Sequence, residues 1–163
     1  MGELAAFIIL SAITLVSAAV VVTSGNIVRS GLSLVPTLLG VAGLYVLLQA
    51  EFVAGIQVLI YVGAITVLIL FVIMLTQGGT GVRVRQTTGQ LPAGMLTSAV
   101  LAALLIAVFR GTVWPSLAGT LPQYTAGPIG ATFLTSAILV FLVASFVLLV
   151  ALMGAIIIAR RER

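Results

Sequence analysis

Five stretches of this chain are apolar over lengths that suit a membrane crossing, and polar residues fall mainly between them. They run approximately 4–22, 27–48, 52–76, 92–109 and 129–159. Each is close to, or longer than, the roughly 20 residues a helix needs to span a bilayer. Continuous apolar runs of this length, without two-residue alternation, predict helices and not strands. The breaks carry turn chemistry. Thr23-Ser24-Gly25-Asn26 offers an N-cap oxygen to the second helix. Gln49-Ala50-Glu51 leaves room only for a tight reversal, so the second and third spans are expected to be antiparallel neighbours. The last run is about 31 residues, longer than one crossing requires, so either its first turn or two lie outside the hydrocarbon or the helix is strongly tilted.

Small residues recur at helical spacing inside these spans. Ala5, Ala12 and Ala19 form a seam on the first; Ser33, Pro36, Gly40 and Gly43 form one on the second; Ala99, Ala103 and Ala107 form one on the fourth. Such seams let helices approach closely in a membrane. Pro36 deletes one backbone hydrogen bond near the middle of the second span and kinks it.

The third stretch, FVAGIQVLIYVGAITVLILFVIMLT, holds no charge but does hold Gln57, Tyr61 and Gly63. Gln57 and Tyr61, four apart, are expected on one helix face. An amide and a phenol at membrane depth both call for partners, so this helix should face protein. Gly63 lies among stiff β-branched neighbours and is the expected yielding point, with distortion over Tyr61, Val62, Gly63 and Ala64.

Composition narrows the possibilities. The chain has 163 residues, 62% hydrophobic and 6% charged, with a mean hydropathy of +1.39. That apolar fraction cannot be buried by a soluble fold. The predicted class is an all-α integral membrane protein, a single membrane domain over 1–163. Without Cys or His, disulfides, thiolate chemistry, haem ligation and zinc sites are excluded. The net charge of +4 is a topology signal and does not point to nucleic acid. Arg29, Arg83, Arg85, Arg160, Arg161 and Arg163 fall on one side of a five-span plan, which predicts a cytoplasmic C-terminus and an outside N-terminus. The MGEL start lacks a cationic flank, so the first span is expected to be retained. The glycines at 78, 79 and 81 lack the GK[ST] ending of a phosphate loop. Trp114 and Tyr124 read as interfacial anchors.

Glu3, Glu51 and Glu162 lie at span boundaries, so no acid sits deep in a helix. A self-sufficient ion transporter places one there. The neutral groups Gln57, Tyr61, Thr66, Thr132, Thr135, Ser136 and Ser145 can hold water or bond between helices, the latter being the favoured use for most of them, but they do not exchange protons at neutral pH.

The run IYVGAITVLILFVIML resembles the third transmembrane helix of the small membrane subunit of respiratory complex I, called subunit 6 in mitochondria, J in bacteria and G in cyanobacteria and plastids. NIVRSGLSLVPTLLGVAGLYVLL resembles that family's second span and VASFVLLVALMGAIIIARRER its last. The resemblance implies a non-redox membrane-arm subunit of a proton-translocating NADH (or related donor)–quinone oxidoreductase. This chain would bind no cofactor, with quinone, flavin and iron–sulfur clusters on other subunits. It would neighbour the subunits equivalent to A, H and K and the first antiporter-like subunit. The expected location is the lipid bilayer of a bacterial inner membrane, or a thylakoid-type membrane in a cyanobacterium. The family's third helix carries a π-bulge at the segment matching Tyr61–Ala64, whose return to regular helix opens or closes a water path toward carboxylates of subunit K. Gln57 would order water there. Gln57 stands where some members have Glu, and Leu142 where some have Glu in the last span, so this chain lends no acid of its own. A purely structural assembly subunit is the alternative, with a stand-alone transporter behind it.

Overall fold

The computed structural model describes residues 1–76, 91–113 and 124–160. Its elements are α1 (Gly2–Thr23), α2 (Ile27–Leu47), α3 (Glu51–Ile56), a π-helical segment (Gln57–Ile65), α4 (Thr66–Thr76), α5 (Leu91–Gly111), α6 (Ala126–Leu134) and α7 (Ile138–Ala159). Among the described residues there is no strand. Five helices are long and apolar enough to cross a membrane: α1, α2, the continuous third span Glu51–Thr76, α5 and α7. The chain is an all-α membrane protein.

The turns follow their local chemistry. Asn26 caps α2, its Oδ1 accepting from the backbone N–H of Val28 at 3.0 Å and of Arg29 at 3.2 Å, as the polar turn before it led one to expect. After α2 the chain reverses in three residues. The Gln49 N–H donates to Val46 O at 2.9 Å and the Ala50 N–H to Tyr45 O at 2.9 Å, with Gln49 at φ 59°. These are the paired bonds of a Schellman stop, built with glutamine where glycine is usual.

α2 is the centre of the packed region, with α1 on one side and the third span on the other. Its glycines fix both distances. A Cβ at Gly40 would overlap Thr14 Oγ1, and one at Gly43 would come within 2.7 Å of Leu10 Cδ2. The α2 seam is therefore a set of holes that receives Leu10 and Thr14. The α1 seam of Ala5, Ala12 and Ala19 does not take part and stays exposed. The close approach needs small residues on one helix only, and α2 supplies them. Pro36 sits within an unbroken helix.

The last apolar run differs from a single helix. It is divided at Thr135–Ala137, where the Ala137 N–H donates to Thr132 O at 2.9 Å. The hydroxyls of Thr132 and Thr135 bond to the carbonyls four residues back, and hydroxyls that compete for backbone in this way weaken a helix. The Phe133 and Phe141 rings, with centroids 6.2 Å apart, span the break. α7 then has the length of one crossing without added tilt. Apart from the α6–α7 contact, neither α5 nor α7 packs extensively on another described helix.

Candidate functional site

The site is the third span, and its distinguishing property is a change of winding. From Gln57 to Ile65 the backbone is π-helical, flanked by α-helix on both sides. At its lower junction the Thr66 N–H donates to Tyr61 O, five residues back. A π-helix is rare, marks functional positions when it occurs inside an α-helix, and here includes Tyr61, Val62, Gly63 and Ala64.

The wider turn redistributes the side chains. The line of residues covered within the chain runs through Ala54, Gln57, Val62, Thr66, Leu70 and Ile73. Its steps are three or four residues except the one from Gln57 to Val62, which is five. An α-helix turns 100° per residue, so residues 57 and 66 would stand half a turn apart; here both are buried, Gln57 at 8% exposure and Thr66 at 0%. The same step moves Tyr61 off the line, leaving it 47% exposed. Gln57 and Tyr61 thus do not share a covered face, and Val62 takes the place expected for Tyr61. Phe71 and Met74, on the same span, are exposed too.

The polar groups divide in the same manner. Gln57 is buried, and among the described residues no buried side-chain nitrogen or oxygen lacks a hydrogen-bond partner. The Thr66 hydroxyl donates to Tyr61 O at 2.6 Å. Other threonines on these helices, such as Thr14, Thr37 and Thr112, bond to the carbonyl four back; Thr66 reaches five back because the π winding brings that carbonyl to it. Thr66, Thr132, Thr135 and Ser145 all bond within their own helices and do not join one helix to another.

Gly63 is exposed, and a Cβ built on it would lie 3.4 Å from Val58 O, the carbonyl five back. Among the described residues no neighbouring helix requires glycine there; any need is in the backbone. Sequence reasoning missed one tie altogether. The Phe52 N–H, a free donor in the first turn of α3, donates to Thr125 Oγ1 at 3.3 Å. No local signal links residues so far apart in the chain. Glu3 and Glu51 sit in the first turns of their helices, and no cluster of three His, Cys, Asp or Glu occurs among the described residues.

Residues 17–158 match the family model described as NADH-ubiquinone/plastoquinone oxidoreductase chain 6. The chain is 40% identical to F(420)H(2) dehydrogenase subunit J of Methanosarcina mazei, over 98% of its own length and 92% of the relative's. It is 41% identical to NAD(P)H-quinone oxidoreductase chain 6 of Leptolyngbya boryana, covering 98% of this chain and 81% of that one. The corresponding Synechocystis chain is 39% identical, with 96% and 80% covered.

Proposed function

This chain belongs to the NADH-ubiquinone/plastoquinone oxidoreductase chain 6 family, and from that premise we propose that it couples quinone reduction to proton translocation through its third span. It is a membrane subunit of a quinone oxidoreductase complex. In the proposed mechanism it carries no redox group. Flavin, iron–sulfur clusters and quinone on other subunits would carry the electrons. The third span changes between π and α winding, and the change makes or breaks a file of water beside it.

The observation that carries this reading is the π-helix itself, set in a span that is regular above and below. A segment with i→i+5 bonds is less favourable than α-helix, so a return to α-helix is available to it. Such a return shifts the face presented downstream. The chain has glutamates only near helix ends or in its terminal residues, so protons would be held by carboxylates of neighbours. Those neighbours are the subunits equivalent to A, H and K and the first antiporter-like subunit. The amide of the buried Gln57 is suited to order water entering that file. The arginine bias supports a cytoplasmic C-terminus, in a bacterial or thylakoid-type membrane.

Gly63→Leu is the test. A Cβ there would lie 3.4 Å from Val58 O, and any side chain removes the backbone freedom of glycine at the point where the winding changes. Donor-driven quinone reduction and the associated proton uptake should fall about tenfold, a barrier change of roughly 1.4 kcal/mol, while electron transfer to ferricyanide continues. Normal quinone turnover in that variant would remove the hinge.

A structural role in assembly is the second reading, favoured by the open state of α5 and α7. The chain exposes 13579 Å², against about 7,600 Å² for a compact protein of its mass. That reading expects Tyr61→Phe to be silent and harm to come only from bulky changes that block assembly.

A further inference from the structure

The face of α2 toward α4 contains a notch that fits only one winding of the third span. A Cβ at Gly31 would lie 2.8 Å from Leu70 Cδ2 and 3.3 Å from Ile73 Cδ1. Gly31 is buried, and Leu70 and Ile73 continue the covered line that passes through Thr66. That line exists because of the five-residue step at Gln57–Val62. With α-helix throughout, the line from Gln57 would continue through Tyr61, Leu68 and Val72, since residues 3.6 apart share a face. Leu70 would then be turned away from Gly31.

The two ends of the third span are held unequally. Its upper end is tied by the three-residue reversal after α2, by the bond from the Phe52 N–H to Thr125 and by buried Ala54. Its lower end, α4, is held within the chain by α2. Any change of winding is therefore taken up by rotation at the α4 end. We propose that Gly31 and Leu70 form a latch that holds the third span in its π winding, and that Leu70 must leave the Gly31 notch for the span to change. Both are positioning residues; neither is part of the proposed water path. This inference rests on the coupling role proposed above and adds to it the element that sets which winding is stable.

The chain has no cysteine, so a disulfide can be placed across the latch without competition within it. In the purified complex, Gly31→Cys combined with Leu70→Cys removes the leucine that a Cβ at position 31 would meet. Oxidation with copper phenanthroline should link the pair in the resting enzyme and lower donor-driven quinone reduction about tenfold. Dithiothreitol should restore it, and ferricyanide reduction should stay constant throughout. Gly31→Cys with Leu68→Cys should not link. Absence of a link at 31 and 70, or a link with quinone turnover unchanged, overturns the latch. Should the cysteine pair fail to assemble, Gly31→Val supplies the second route: it should depress quinone turnover alone and recover with Leu70→Ala, and lack of recovery overturns the proposal. If the linked enzyme turns over normally while Gly63→Leu does not, the latch fails and the hinge stands. If neither impairs turnover, both fall.

Discussion

α2 and α5 are equally long helices with opposite surroundings. α2 is gripped from both sides: Gly40 and Gly43 admit Thr14 and Leu10 of α1, and Gly31 admits Leu70 of α4. α5 also carries small residues at helical spacing, Ala99, Ala103 and Ala107, yet all three are exposed. Small residues permit a close approach but do not create one. α2 has partners because two tight turns return the chain to it on either side. Among the described residues α5 packs extensively on no other helix, and its face is left for lipid or another subunit.

This contrast can be broken most directly at Gly40. Gly40→Val puts a branched side chain into Thr14, with the Leu10 carbonyl behind it, and should cost about 3 kcal/mol, seen as loss of the assembled complex. Ala103→Leu, on α5, should leave the Gly31–Leu70 contact intact and reduce only the amount of complete complex; if it instead disturbed that contact, the two regions would not be separate. A smaller effect is expected of Thr125→Ala, which takes away the acceptor for the Phe52 N–H and should lower the melting point of the complex by the equivalent of about 1 kcal/mol. The least is Gln49→Gly. A left-handed residue costs roughly 1–2 kcal/mol unless it is glycine, and part of that gain is offset by chain entropy, so stability should rise by about half a kcal/mol. Thermal inactivation of the purified complex reads it.

Much of the packed region could be read from residues near in sequence. Asn26 as a cap, the tight turn at 48–50 and the glycine seam of α2 each have a local cause, and the structure has all three. Three features were out of reach of the hydrophobic pattern, although the resemblance pointed to a π-bulge at Tyr61–Ala64. The five-residue step from Gln57 to Val62 leaves no trace in hydrophobicity, because the residues around it are apolar on every side and so carry no phase. The break at Thr135–Ala137 lies inside an apolar run, where two threonines weigh little in hydropathy but compete effectively for the backbone. The Thr125 bond is decided by tertiary arrangement alone. For the site, the stretch was legible; which of its side chains α2 covers was not.

Thr125 also has a consequence for how the protein is made. The first turn of α3 emerges from the ribosome with an amide at Phe52 whose acceptor is encoded 73 residues later. Until α6 has been synthesised and delivered, that amide relies on water or a lipid headgroup. The α2–α3 hairpin can therefore enter the membrane early, but the Phe52 end of the third span is tied only once Thr125 has followed, so an interrupted translation product would carry that end untied.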